Sequence, residues 1–161
     1  MSVTYGSYLK VPQLLSLQVP RSEPAQHDEM LFIVIHQVYE LWFKLLLHES
    51  DKIGRNFSSG DLFGGIATFK RVRMILKTLV GQIDILETMT PMSFLAFRDR
   101  LETASGFQSA QFRELEFLLG LKRADMLRYQ PSGSAARARL EARLGDRSLV
   151  DRFYDFLETR G

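Results

Sequence analysis

Apolar residues recur at spacings of three and four along most of the chain, which is the period of an α-helix that buries one face. The longest such stretch is "HDEMLFIVIHQVYELWFKLLLHE", residues 27–49. No stretch shows the sustained alternation, bounded by hairpin turns, that is typical of β-strands. We therefore expect an all-α fold in which several helices pack as a bundle.

Capping and breaking residues set the predicted helix boundaries. The first long helix should begin at about His27 or Asp28 and end at the "GRNFSSGD" loop. Thr90 and Pro91 predict a later helix start, because threonine caps the first turn and proline fits its first position. The remaining helices follow the same signals, and we place them over residues 62–87, from Thr90 to near "TASGFQS", in "AQFRELEFLLG", and over residues 135–144 and 148–159.

The chain has 161 residues, of which 45% are hydrophobic, and this is enough for one domain with its own core. We expect residues 25–161 to form the helical core and residues 1–24 to form an N-terminal arm. The first residues lack a cationic segment followed by an apolar run, so we expect no secretory signal. No uncharged span reaches the roughly 20 apolar residues of a membrane helix. These features favour a cytoplasmic protein without a membrane partner.

Cysteine content and charge exclude several functions. The chain contains no cysteine, which excludes disulfides, cysteine nucleophiles and thiolate ligation of zinc or haem. The formal net charge is only +2, and the basic residues near the C-terminus are interleaved with acidic ones. Because nucleic-acid binding needs a concentrated basic surface, we expect no nucleic-acid partner.

Polar residues interrupt the apolar surface of the first long helix at His36, Gln37, Glu40 and Lys44. Phe32, His36 and Glu40 follow one another at four-residue steps, so they share one face of the helix. One interpretation is a core histidine that bonds to a neighbouring carbonyl group or to Glu40. The other is a histidine that faces a cavity and binds a ligand, or acts on it as a general acid or base.

A second polar cluster lies in "FLAFRDRLETASGFQSAQFR". Arg98 follows an apolar turn, and a guanidinium held by apolar walls is suited to binding a carboxylate. Ser105 and Gly106 follow in a linker whose backbone N–H groups could bind an anion. The alternative is that Arg98 only forms an ion pair, with one of the carboxylates Asp99, Glu114 or Asp125.

Four segments, in order along the chain, carry a resemblance to a known family: "TYGSYL", "HDEMLFIVIHQVYELWFKLLLHE", "TPMSFLAFRDRLETASGFQSAQFRELEFLLG" and "RARLEARLGDRSLVDRFYDFL". They resemble the tryptophan 2,3-dioxygenase family, within the superfamily of haem-dependent aromatic oxygenases. Members of that family are all-α tetramers that bind haem b and use dioxygen to convert L-tryptophan to N-formylkynurenine. The resemblance therefore implies a homo-oligomeric, haem-dependent oxygenase that acts on L-tryptophan or a related indole amino acid.

The resemblance also implies roles for residues that would contact the substrate. His36 resembles the distal histidine that hydrogen-bonds the indole N–H, and Phe32 resembles the ring that packs on the substrate. Arg98 resembles the arginine that binds the substrate carboxylate. Phe94 falls where the family has an aromatic residue of the same pocket.

Two further groups of residues match the family around this pocket. Ser105 and Gly106 resemble the pair that lies close to a haem propionate. Tyr5, Tyr8 and Leu9 match an N-terminal segment that reaches the pocket of the neighbouring subunit. The latter match implies that a complete pocket needs an oligomer.

Family members are longer, and the part that follows position 161 carries the proximal histidine of the haem iron and a threonine that contacts the substrate. The other histidines offer no replacement by helical phase, because His27 lies opposite His36 and His48 lies about 120° away. The iron ligand is therefore unassigned. Three alternatives stay open: a fragment of a longer enzyme or a partial chain whose partner supplies the ligand, a short homologue that binds haem differently, and a haem-free relative that binds an aromatic molecule or acts on it through His36.

Overall fold

The computed structural model describes residues 2–159, and within this range it contains eight α-helices, three short 3₁₀ segments and no β-strand. The expectation of an all-α fold is confirmed. The helices are α1 (Tyr5–Leu9), α2 (Val11–Leu15), α3 (His27–Ser59), α4 (Leu62–Leu86), α5 (Pro91–Arg98), α6 (Ala110–Leu118), α7 (Ala135–Gly145) and α8 (Leu149–Glu158). The 3₁₀ segments are Asp99–Leu101, Gly106–Gln108 and Ala124–Tyr129.

The long helix α3 continues through the segment in which its end was predicted, so the expected loop at "GRNFSSGD" is wrong for all but its last residues. Contacts with α8 explain the difference. Gly54 is buried where a Cβ atom would lie 3.3 Å from Cδ of Arg152, and the Phe57 ring lies 5.5 Å from that of Phe156. The helix ends at Gly60, whose φ of 73° is a left-handed conformation that favours glycine.

The core lies between the second half of α3 and the helices α4, α6 and α8. It contains buried aliphatic and aromatic side chains from all four helices: Leu46, Leu47, Ile53, Phe57, Val72, Ile75, Leu79, Leu115, Leu118, Leu149 and Phe156. A smaller cluster of Phe117, Met126 and Leu140 joins α6 and α7. Arg143 of α7 binds both carboxylate oxygens of Asp51 on α3, at 2.6 and 2.7 Å. This end of the bundle is therefore held by packing and by paired charges.

Helix α4 buries only part of its apolar surface in this chain. Val72, Ile75 and Leu79 face the core, whereas the Phe63 side chain is 86% exposed and the Val80 side chain 68% exposed. The apolar stripe of α4 is thus wider than the surface that α3 covers. The cap of α4 is regular, because the Asp61 carboxylate accepts the backbone N–H of Gly64 at 2.9 Å.

Length and composition alone would allow α3 to cross a membrane, since its most apolar 18-residue window has a mean hydropathy of 1.5. Among residues 2–159 it is the only helix with this property. The sequence expectation was narrower, because it asked for a span without charged residues. In the structure α3 packs against α4, α6 and α8, but only 11% of this window is buried inside the chain.

The N-terminal arm contains the short helices α1 and α2 and then crosses the first half of α3. Two hydrogen bonds from side-chain amides hold it there. The Gln37 amide of α3 donates to the Leu17 carbonyl at 3.0 Å, and the Gln18 amide donates to the Gln37 side-chain oxygen at 2.5 Å. These contacts bring the second half of the arm next to the predicted site on α3.

Candidate functional site

Helix α3 places Phe32 and His36 one turn apart with their rings in contact, as their spacing predicts. The ring centroids are 4.1 Å apart, and Nδ1 of His36 lies 2.7 Å from the carbonyl oxygen of Phe32. A carbonyl oxygen can only accept, so Nδ1 must carry the proton of this hydrogen bond. In the neutral ring, Nε2 then keeps a lone pair. His36 is therefore prepared to accept a hydrogen bond from an N–H group.

The interpretation of His36 as a core histidine is half right. It bonds to a neighbouring carbonyl group, as that interpretation required, but its side chain is exposed rather than buried. Glu40, the other partner considered, instead accepts a hydrogen bond from the Gln111 amide at 2.7 Å. His36 is thus held by its own helix and faces open space.

That space is a cleft of about 310 Å³ between α3 and the segment that follows α5. Phe32 and His36 line it from α3, and Ser105 and Gly106 line it from the start of the 3₁₀ turn, so the cleft brings together two pairs of residues that lie far apart in sequence. A capping box fixes the turn: the Ser105 hydroxyl accepts the Phe107 N–H, and the Gln108 side chain accepts the Ser105 N–H, each at 3.3 Å.

A second cleft, of about 340 Å³, lies on the other side of His36. Its polar wall includes His36, Gln37, Glu40 and Lys44, the same residues that interrupt the apolar surface in the sequence, and Gln111 of α6. Its apolar wall comes from the arm, at Leu14 and Leu17, and from Leu41 of α3. The polar residues of α3 therefore border two clefts that share His36.

Phe94 and Arg98 lie on α5, close to the aromatic end of the first cleft. The Phe94 ring is 5.9 Å from the Phe32 ring, so both rings belong to one aromatic cluster. The Arg98 guanidinium donates to the Glu102 carbonyl at 3.4 Å and lies outside the lining of the cleft. Within residues 2–159 no carboxylate pairs with Arg98.

The ion pair considered for Arg98 has thus not formed in the described part of the chain. Glu114, one of the three carboxylates considered, is buried and bonds to Arg139 at 2.9 Å. The Arg98 side chain is half-buried and makes one long hydrogen bond to a neutral oxygen. Most of its N–H donors therefore remain available for another acceptor.

Tyr5, Tyr8 and Leu9 lie on α1, and the single chain does not bring them to either cleft. Tyr5 is 78% exposed and Tyr8 is 75% exposed. Helix α1 packs against α2, and its start is fixed by a capping box between Thr4 and Ser7. The predicted contact with a neighbouring subunit therefore remains a prediction about an assembly.

The wall of the first cleft carries groups that suit an anion such as a haem propionate. Ser105 and Gly106 offer a hydroxyl group and a backbone N–H at the cleft wall, and a Cβ atom at Gly106 would meet nothing within 4 Å. The other two histidines are too far along α3 to reach an iron at this cleft. A rise of 1.5 Å per residue puts His27 about 14 Å and His48 about 18 Å from His36 along the helix axis. Within residues 2–159, no cluster of three or more metal-ligating side chains occurs.

The sequence interpretation did not single out Glu29, which lies in the first turn of α3. Its side chain is 2% exposed and accepts the backbone N–H groups of Arg21 at 2.7 Å and Ser22 at 2.9 Å, and the Ser22 hydroxyl as well. Burial raises the pKa of Glu29, but the hydrogen bonds from Ser22 and Arg21 outweigh it and hold the pKa below the usual value. A glutamate next to charged neighbours gives no signal of burial in a sequence.

The structure is thus an all-α protein with a histidine and aromatic rings at an open cleft. Comparison with known families agrees with the resemblance found in the sequence. Residues 1–152 match the model of the family described as tryptophan 2,3-dioxygenase. This chain belongs to the tryptophan 2,3-dioxygenase family.

Individual relatives carry the same name. The chain is 52% identical over 160 residues to a tryptophan 2,3-dioxygenase of Anaeromyxobacter sp. (strain K), covering 99% of this chain and 60% of the relative. It is 51% identical to that of Herpetosiphon aurantiacus, covering 99% of this chain and 61% of the relative. It is 44% identical to that of Xanthomonas campestris pv. campestris, covering 99% and 53%. The chain thus spans a little over half the length of these relatives.

Proposed function

We propose that this chain forms the substrate-binding side of a haem-dependent oxygenase site for L-tryptophan or a related indole amino acid. The observation that carries the proposal is the cleft shared by Phe32, His36, Ser105 and Gly106 in a chain of the tryptophan 2,3-dioxygenase family. The names of the relatives supply the substrate class. We further propose that residues 1–24 act as an arm and residues 25–161 as one helical domain.

His36 positions the indole ring in this proposal. Its Nδ1–H is already used by the Phe32 carbonyl, so Nε2 of the neutral ring accepts the indole N–H. The Phe32 ring, in contact with His36 and 5.9 Å from Phe94, provides an aromatic surface for the indole. One polar contact and one stacking surface together fix the orientation of the ring.

Arg98 binds the carboxylate of the amino acid. The supporting observations are its position on α5 one turn after Phe94, and the absence of a paired carboxylate within residues 2–159. A guanidinium and a carboxylate form a charge-assisted pair with two parallel hydrogen bonds. This contact would hold one end of the substrate while His36 and Phe32 hold the other.

Haem, when bound, supplies the iron that activates dioxygen. In this chain Ser105 and Gly106 would bind a propionate group, and His36 would lie on the substrate side. The histidines on α3 other than His36 lie far from the cleft, so residues 2–159 would hold the haem at its propionate side and offer no second histidine to the iron. The role of the described residues is to bind and orient the substrate, which is a large part of enzymatic rate enhancement.

A second copy of the chain would complete the pocket. The exposed Tyr5, Tyr8 and Leu9 on α1 support this part of the proposal, because aromatic side chains of this size are commonly covered in an assembly. We expect a homo-oligomer by sedimentation, and we expect Tyr5→Ser combined with Tyr8→Ser to weaken it. A wild-type monomer at all concentrations would contradict the proposed subunit contact.

Absorption spectroscopy of the purified chain after haem addition tests the proposed cofactor. We expect a sharp Soret band that shifts when carbon monoxide binds to the reduced sample. A spectrum of free haem would instead favour a haem-free protein that binds an aromatic amino acid. His36→Ala should keep the haem, so loss of haem from this variant would make His36 an iron ligand instead of a substrate contact.

A further inference from the structure

The N-terminal arm, which borders the second His36 cleft, is bound to α3 by the buried carboxylate of Glu29, a residue outside both clefts. Glu29 lies in the first turn of α3, and both of its oxygens accept hydrogen bonds from the arm. Oε1 accepts the Arg21 N–H, and Oε2 accepts the Ser22 N–H and the Ser22 hydroxyl. The Ser22 hydroxyl in turn accepts the Gln26 N–H at 3.0 Å. We call this group, Glu29 with Arg21 and Ser22, the Glu29 clasp.

The Glu29 clasp connects three parts of the structure that meet around His36. Leu17, which lines the second cleft, lies four residues before Arg21 in the arm. On the other side, the Arg21 guanidinium reaches the segment after α5. It lies 3.2 Å from the Glu102 carboxylate and 3.5 Å from the Arg100 carbonyl. That segment continues to the turn that lines the first cleft.

We propose that Glu29 is a positioning residue for the His36 clefts: its carboxylate fixes the arm, and the arm fixes the walls on both sides of His36. The proposal about cleft geometry stands on the contacts of this chain, and its consequence for substrate affinity rests on the proposed function. A carboxylate is needed because only an acceptor with two free oxygens satisfies three donors from a bent segment. Its burial excludes water as a competing acceptor.

Glu29→Ala removes both acceptor oxygens, and its first expected effect is on the arm. We expect the amide protons of Arg21 and Ser22 to exchange with solvent about tenfold faster, because each loses its hydrogen-bond acceptor. Glu29→Gln keeps one acceptor oxygen and should show a smaller increase. Unchanged exchange at both amides in Glu29→Ala would overturn the proposal.

The second expected effect is on His36 itself, which Glu29 does not contact. We expect the NMR signal of His36 Cε1–H to shift in Glu29→Ala, because Leu14 and Leu17 then no longer hold their places beside the imidazole. Affinity for L-tryptophan, measured by calorimetry, should fall roughly threefold to tenfold, the effect of about one lost net hydrogen bond. Faster amide exchange with an unchanged His36 signal and unchanged affinity would overturn the positioning role.

Asp28→Asn is the matched control, because Asp28 shares the first turn of α3 with Glu29. This variant removes one negative charge from the helix start and leaves the acceptors of Arg21 and Ser22 in place. If Glu29 acted only through its charge at the helix end, Asp28→Asn and Glu29→Ala would change the amide exchange and the His36 signal equally. That result would overturn the proposal. Glu49→Gln controls for loss of a buried carboxylate on the same helix, since Glu49 binds Arg71 and is far from the arm.

A cross-link separates positioning from simple loss of stability. The chain has no cysteine, so Gln18→Cys with Gln37→Cys introduces the only two thiols, at side chains that already bond to each other. A short bismaleimide between them fastens the arm to α3 without Glu29. We expect this cross-link to restore the His36 signal of Glu29→Ala toward that of the cross-linked protein with Glu29 intact. If the cross-link fastens the arm to α3 but the His36 signal of Glu29→Ala stays shifted, the proposal is overturned.

The two proposals fail in different ways. A wild-type chain that binds no L-tryptophan, while Glu29→Ala still accelerates exchange and shifts the His36 signal, would overturn the proposed function and support the Glu29 clasp. A wild-type chain that binds L-tryptophan, with affinity and His36 signal unaffected by Glu29→Ala, would overturn the clasp and leave the proposed function standing.

Discussion

The two halves of α3 belong to one continuous helix but have different surroundings. Of the residues up to position 44, only Glu29 and Ile35 are buried, whereas eight of the residues from position 45 to Ser59 are buried. The second half packs into the core with α4, α6 and α8, and its acids are paired with arginines of α4 and α7. The first half borders two clefts and the arm.

This difference shows how to interpret polar residues in an apolar helix. In the second half Glu49 and Asp51 have arginine partners, so their presence is explained by ion pairs between helices. In the first half, His36 bonds to a carbonyl group of its own helix and faces open space. A polar group that the packing does not require is a better candidate for a functional site.

The largest expected effect is on stability, and it separates the two halves directly. Phe57→Ala in the second half should lower the free energy of unfolding by about 3 to 5 kcal/mol, because it leaves a cavity among packed rings. His36→Ala in the first half should change the free energy of unfolding by less than about 0.5 kcal/mol, as expected of an exposed side chain. Urea unfolding of both variants measures the difference. Equal losses would contradict the division of α3 into two regions.

The next effect concerns binding in the first region. Arg98→Ala should weaken the binding of L-tryptophan by about 2 to 4 kcal/mol, because the substrate carboxylate loses a charged partner in a partly desolvated site. Arg73→Ala on α4, an exposed arginine away from the clefts, is the matched control and should bind as the wild type does. Calorimetric titration gives both affinities. A normal affinity in Arg98→Ala would rule out this residue as the carboxylate contact.

How much of this could be predicted from the sequence depends on the range of each interaction. The starts of α4 and α5 follow from local caps, at Asp61 and Thr90, and four-residue spacing placed Phe32 beside His36. The continuation of α3 through Gly54 depends on α8, more than ninety residues later, and no local signal contains it. The prediction that Ser105 and Gly106 lie at the same site as His36 came from the family resemblance and not from their spacing.

Glu29 shows the same limit for the site. A glutamate in the first turn of a helix is normally explained by the helix dipole, and the sequence gives no reason to look further. Its burial follows from the bent path of the arm, which returns two backbone N–H groups to the start of α3. Such a path is set by tertiary contacts, so neither the burial nor the lowered pKa of Glu29 could be predicted.

The smallest expected effect is a dependence on pH. Because the pKa of Glu29 is lower in the folded chain than its usual value, its contribution is fully present above the pKa of an unfolded glutamate. The contribution is lost as the pH falls through the lower, folded pKa. The difference in unfolding free energy between the wild type and Glu29→Gln should therefore shrink in acid. A difference that stays constant from neutral pH to pH 3 would show that ionised Glu29 does not hold the arm.

The central claim is that His36 accepts a hydrogen bond from an indole N–H, and calorimetry with two ligands tests it most directly. L-tryptophan and 1-methyl-L-tryptophan differ at the indole nitrogen, so each is titrated into the wild type and into His36→Ala. We predict that the wild type prefers L-tryptophan by about 1 kcal/mol, roughly fivefold, and that His36→Ala loses this preference. The same preference in both proteins, or none in the wild type, would contradict the claim.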